Sequence, residues 1–196
     1  MATPPDFYAG DVLTAAQMNA VGMWKITPTV SGTGTSVNSA GDVVLTAAPE
    51  PYINAFSADY RNYRIICQLT AFSGGAAALA VRMASGTTPN TTASNYRNVG
   101  YEAGYGSALG TINNNGTTAG WNVGRVDSSG QTSGFIMDIQ SPFASAYTQY
   151  SSVFRDWAIS GYQSGYLQVV DSYNSFNPRI GGTSTMTGII QVFGYN

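Results

Sequence analysis

The stretch Tyr63-Arg64-Ile65-Ile66-Cys67-Gln68-Leu69-Thr70-Ala71 decides the fold. In an extended chain Tyr63, Ile65, Cys67 and Leu69 share one face, and Arg64, Gln68 and Thr70 take the other. Alternation with a period of two marks a strand buried on one side. Ser73-Gly74-Gly75 interrupts the run and Leu79 to Met83 resumes it, the spacing of a hairpin with a short loop. Further along, Phe135, Met137 and Ile139 alternate with Asp138 and Gln140 until Ser141-Pro142 stops them. An aromatic-rich strand is expected from Tyr147 to Ile159, with others over Tyr166 to Val170 and Gly188 to Tyr195. Asn113-Asn114-Asn115-Gly116, Ser128-Ser129-Gly130 and Gly181-Gly182 carry turn chemistry. Roughly eight or more short strands at this spacing predict an all-β, antiparallel β-sandwich, jelly-roll-like, over residues 24–196. No repeat of fixed period is present, which disfavours a propeller or β-helix.

Composition points the same way. The chain has 196 residues, and Val 14, Ile 11, Thr 20 and Tyr 13 far outnumber Leu 6, Glu 2 and Lys 1. β-branched and aromatic side chains fit a pleated sheet, while the strongest helix formers are scarce. Only 9% of residues are charged, against about 25% in ordinary soluble domains. Ser 20, Thr 20, Asn 14 and Gln 8 take their place, beside 23 glycines.

The first 23 residues read differently. After Pro4-Pro5, Thr14 followed by Gln17 forms a capping box, with Leu13 and Met18 placed as a hydrophobic staple and Gly22 as a terminator. The result is a helix of about two turns, too short to stand alone in water, so it must dock on its own domain or on a neighbour. Residues 1–23 are therefore expected to form a segment of their own ahead of the β domain. No basic n-region or long apolar run marks a secretory signal at the N-terminus, and no stretch reaches the ~20 apolar residues of a membrane-spanning helix.

Much chemistry is excluded. With no histidine there is no Ser-His-Asp triad, His-ligated metal or His pH switch. The lone Cys67 can form neither an internal disulfide nor a Cys-rich zinc site, and it falls on an apolar strand face. Eight basic residues without a cluster cannot neutralise a nucleic-acid backbone. Glycan cleavage needs a pair of carboxylates at a set separation. Glu102, Asp127, Asp138 and Asp156 are the candidates, but Asp138 and Asp156 sit at outward strand positions and Asp127 at a turn. Gly104-Tyr105-Gly106-Ser107-Ala108-Leu109-Gly110 lacks the spacing and the βαβ setting of a dinucleotide loop. Asn90-Thr91-Thr92 and Asn115-Gly116-Thr117 match glycosylation sequons and, without a secretory route, mean only exposed loops. No catalytic residue, cofactor or metal is expected.

The tyrosines carry the strongest signal. Rigid amphipathic rings line sheets and interfaces, and on loops they bind sugars by stacking and hydrogen bonding. Tyr96, Tyr101, Tyr105 and Trp121 lie in the stretch richest in Gly and Asn and are the candidate glycan contacts. Tyr162 and Tyr166, flanking Ser164-Gly165, come second.

Two segments add a resemblance. Tyr8-Ala9-Gly10-Asp11-Val12-Leu13-Thr14-Ala15-Ala16-Gln17-Met18-Asn19 resembles the start of small structural proteins of tailed phages, especially those of actinobacterial hosts. Gly188-Ile189-Ile190-Gln191-Val192-Phe193-Gly194-Tyr195-Asn196 is similar to the closing strand of phage tail-fibre and minor tail proteins. Together they cover about one tenth of the chain, and the middle matches no family pattern. The resemblance implies a virion protein made in the host cytoplasm, a homotrimer in which residues 1–23 are the attachment segment and the β domain projects. Phe7, Tyr8, Leu13 and Met18 become the candidate attachment residues to other virion proteins. The expected function is a non-enzymatic tail fibre or tip component that contacts the host surface or its glycans. The alternatives are a capsid-decorating or head-fibre protein and, from another class, a polysaccharide-degrading tail enzyme.

Overall fold

A computed structural model describes residues 22–75, 77–126, 132–181 and 184–196. The helix expected from Thr14, the attachment residues Phe7, Tyr8, Leu13 and Met18, and the turn at Ser128-Ser129-Gly130 lie outside the described residues. The described chain is all-β. In chain order the strands are β1 (Trp24–Ile26), β2 (Thr29–Ser31), β3 (Thr35–Val37), β4 (Val43–Ala48) and β5 (Tyr52–Asn54). Then come β6 (Asn62–Phe72), β7 (Ala77–Ser85), β8 (Thr88–Pro89), β9 (Tyr96–Gly104), β10 (Leu109–Asn115) and β11 (Trp121–Val126). The last five are β12 (Ser133–Gln140), β13 (Ala146–Arg155), β14 (Ile159–Asp171), β15 (Ser175–Ile180) and β16 (Met186–Tyr195).

These strands form two antiparallel, sandwich-like sheets. The larger has ten strands in the order β10-β9-β14-β13-β12-β6-β16-β4-β3, with β1 paired to β16 beyond β4. The smaller has six, in the order β11-β7-β15-β5-β2, with β8 paired to β7. The face predicted to be apolar on β6 is the inward one: Tyr63, Ile65, Cys67 and Leu69 are all buried. On β12 Phe135, Met137 and Ile139 point inward as expected, and on β16 Ile190 and Val192 join them. Leu79, Val81 and Met83 of β7 and Phe176 and Ile180 of β15 complete one shared core. Burial drives this arrangement, because each inward row removes apolar area from water at roughly 25 cal/mol per Å².

Polar bonds tie the sheets together where the core is less apolar. Tyr150 Oη donates to Asn122 O at 3.0 Å, and Ser152 Oγ to Val123 O at 2.8 Å. Trp121 Nε1 donates to Tyr166 O at 3.3 Å. They give buried polar groups the partners that burial demands.

Several local expectations are corrected. β6 and β7 are not a hairpin: the chain passes through Ser73-Gly74-Gly75 into the opposite sheet, where β7 pairs with β11 and β15. The inward face of each strand then meets the other across the core, which pairing side by side would forbid. Asn113 to Asn115 finish strand β10, and the turn comes only from Gly116 onward. Tyr147 to Ile159 is a hairpin rather than one strand. Asp156 turns it by accepting hydrogen bonds from the backbone N–H of Ala158 and Ile159 at 2.8 and 2.6 Å.

Candidate functional site

The outer face of the large sheet carries the site. Cross-strand register places Asn113, Val99, Ser164, Ser151 and Asp138 in one row over β10, β9, β14, β13 and β12. Two residues along each strand, on the same face, lies the row Thr111, Tyr101, Tyr162, Val153 and Ile136. On the opposite side runs Asn115, Arg97, Tyr166, Gln149 and Gln140. The middle row has small hydroxyl side chains at its centre, Ser164 and Ser151, while both flanking rows carry long side chains. A trough of about 750 Å³ results, lined by Tyr162, Ser164, Tyr166, Gln149 and Gln140 among others. Its axis crosses the strands. Five strands at a spacing of about 4.8 Å make it about 19 Å long, and the four residues from Tyr162 to Tyr166 set its walls about 13 Å apart.

Apart from Arg97, the chemistry of the trough is uncharged. Its solvent-facing side chains are two tyrosines, Val99, amides of Asn and Gln, serines and one arginine, with no Asp or Glu among the lining residues. Tyr162 is held upright by Tyr101, whose ring lies 6.0 Å away at an interplanar angle of 34°. Close strand contact supports the floor. Gly165 leaves room for the β9 backbone, since a Cβ there would lie 2.9 Å from the Cα of Asn98. Stacking surfaces beside amide donors and acceptors suit a sugar, which presents an apolar ring face and an equatorial rim of hydroxyls.

The four candidate glycan contacts are dispersed. Tyr96 and Trp121 are fully buried, and neither can touch a glycan. Both begin their strands with the side chain inward. Tyr96 Oη donates to Asn90 O at 2.9 Å and accepts from Met83 N at 3.1 Å, while Trp121 meets Tyr96 edge to face and stacks on Tyr150. Tyr101 is 49% exposed and stands in the wall beside Tyr162. Tyr105 is 66% exposed in the turn between β9 and β10, apart from the trough. Tyr162 and Tyr166, second in the sequence reading, are the two that line it. Arg97, Gln140, Gln149 and Ser151 were not singled out by sequence; their only signal is an outward position in an alternating strand.

The carboxylates are also separated by face. Glu102 points inward and pairs with Arg125 at 3.2 Å. Asp138 points outward and accepts two bonds from Arg64, Nε to Oδ1 and Nη2 to Oδ2, each at 2.8 Å. Asp156 is buried in its turn, and Asp127 lies outside the described residues. Among the described residues no cluster of three or more His, Cys, Asp or Glu could hold a metal ion. Cys67 is buried, and burial pushes its thiol up to about 12.

Neither a family model nor a characterised protein matches this sequence.

Proposed function

We propose that this chain is a non-enzymatic structural protein of a tailed-phage virion, a tail fibre or tip component whose β domain binds glycan on the host surface through the trough. The observation that carries the reading is the facing pair Tyr162 and Tyr166 across a serine floor, bordered by uncharged amides. The two terminal segments that resemble phage structural proteins supply the virion setting. In this reading the two sheets form a sandwich of jelly-roll type, and residues 1–23 attach it to the particle. A trough without lining carboxylates favours retention of sugar over its hydrolysis.

Homotrimeric assembly belongs to the same reading. Its support is the outer apolar row Val153, Ile136 and Ile66 on β13, β12 and β6, which continues away from the trough wall at Tyr162. Val153 is 59% exposed and Ile136 47%. A contiguous exposed apolar row is a surface built to be covered. Sedimentation of a stable monomer at micromolar concentration would exclude the trimer.

Two measurements test the function. Labelling of intact particles should place the protein at the tail; label on every capsomer would replace this reading with capsid decoration. Pull-down on host cell-wall polysaccharide should retain the wild type and lose the double variant Tyr162→Ala/Tyr166→Ala. Equal retention of both would remove the trough as the binding site.

A further inference from the structure

We infer that Arg97 makes the trough selective for an acidic glycan, one bearing a carboxylate or phosphodiester group that meets the guanidinium beside Tyr166. The inference rests on the trough being the glycan site. Arg97 stands on the outer face of β9, between Asn115 of β10 and Tyr166 of β14 in the cross-strand register. Its Nε donates to Gln168 Oε1 at 2.8 Å and its Nη1 to Asn115 Oδ1 at 2.8 Å. Both acceptors are neutral amides, so the guanidinium is held in place while its charge is left uncompensated. Lys25, Arg64, Arg125 and Arg179 each face a carboxylate, and Arg61, Arg82 and Arg155, which like Arg97 have no ion pair among the described residues, do not line the trough.

The seat is built around the cation. Gly116, with φ +77°, turns the chain after β10, and a Cβ there would lie 3.1 Å from Arg97 Cζ. Glycine thus serves both the left-handed backbone and the space that the guanidinium occupies. Two of the five guanidinium N–H groups are spent on the amides, and Nη2 has no acceptor among the described residues. Were stapling β9 to β10 and β14 the whole task, a neutral side chain with two amide N–H groups would serve. An oriented, unpaired arginine instead offers charge-assisted bonds to an oxyanion at little further entropy cost. No Asp or Glu lines the trough to compete for it.

The test is binding of the full chain to immobilised tetramers: oligogalacturonate, its methyl ester, a glucose oligomer linked by phosphodiesters and a neutral glucan. The acidic sets should be retained at least about tenfold better than the ester and the glucan, and less well as salt rises. Which acidic set is retained identifies carboxylate or phosphodiester as the group read. Arg97→Gln should abolish the discrimination, and Tyr166→Ala should remove binding of every set. Equal retention of the acid and its ester overturns the inference and leaves the glycan trough standing. Discrimination that survives Arg97→Gln also overturns it, reducing Arg97 to a staple. Retention of no glycan takes down the trough reading and this inference together.

Discussion

The indole of Trp121 stacks on the phenol ring of Tyr150, with centroids 4.6 Å apart and planes 29° from parallel. One residue comes from the first position of β11 in the small sheet and the other from β13 in the large one, so the pair joins the two layers directly beneath the trough. Both side chains are buried. Trp121→Ala removes the largest fully buried side chain and leaves a cavity the sheets cannot fill. A loss of about 3–5 kcal/mol is expected from denaturant unfolding. Tyr150→Phe keeps the stack and loses only the bond to Asn122 O, for about 1 kcal/mol.

Gly165→Ala tests how closely β14 and β9 approach. The added methyl meets the carbonyl carbon of Arg97 and the Cα of Asn98, each at 2.9 Å, so backbone rather than a flexible side chain must yield. Destabilisation of about 1–3 kcal/mol is expected, the range for overpacking. Because the same strand pair carries Arg97 and Tyr166, glycan affinity should fall even where the variant stays folded, a result read by comparing binding with the unfolding midpoint.

Asp42 gives the sheet an acid-sensitive bond set. Its carboxylate accepts from Lys25 Nζ, from Gln191 Nε2 at 2.8 Å and from Asn38 Nδ2 at 3.2 Å. Those bonds, that from Lys25 foremost, lower its pKa from 3.8 to about 2. A depressed folded value means that the stabilisation is complete above about pH 3.8 and is lost as pH falls through about 2. Carboxyl titration followed by NMR should show a midpoint near 2, and Lys25→Met should move it up toward 3.8. A wild-type midpoint at the ordinary aspartate value would refute the bond set.

Cys67 should be inert in the folded protein. It is 3% exposed, and its thiol is held protonated far above neutral pH. Alkylation by iodoacetamide at pH 8 should be undetectable in the native state and fast in denaturant. Fast native labelling would mean that β6 and its neighbours separate in solution.

The strands with one buried face were legible because alternation records burial directly. β6 and β12 each show apolar residues at every second position, and each is buried at those positions. Two kinds of information were not legible. The first is which sheet a strand joins: nothing local to Leu79–Met83 distinguishes pairing beside β6 from facing it across the core. The second is the meaning of a glycine- and asparagine-rich stretch. Sequence alone assigns no strand to residues 96–104 and 109–115, and a turn to Asn113 to Asn115, yet both segments are strands whose glycines accommodate close neighbours. Gly100 sits against the backbone of Tyr162 and Gln163 in this way. Tyr96 was misplaced for that reason, and Trp121 because it opens β11 directly after the same glycine- and asparagine-rich stretch. The trough itself combines strands from residues 97 to 166 in an order no linear reading provides, although Tyr162 and Tyr166, four residues apart around Ser164, were visible as a local pair.

The position of β16 sets a condition on how the molecule comes into being. β16 lies between β6 on one side and β4 and β1 on the other, so the middle of the large sheet is closed by residues 186–195. Until those residues have left the ribosome, β6 exposes an unpaired edge and the inward faces of β4 and β6 lack their neighbour. Ring closure over more than a hundred residues must precede the contacts that reward it, so folding should be slow and should finish only after synthesis has passed this strand. During that interval the nascent chain offers a template for pairing with other chains, and premature termination before residue 186 should yield aggregates rather than a shorter domain.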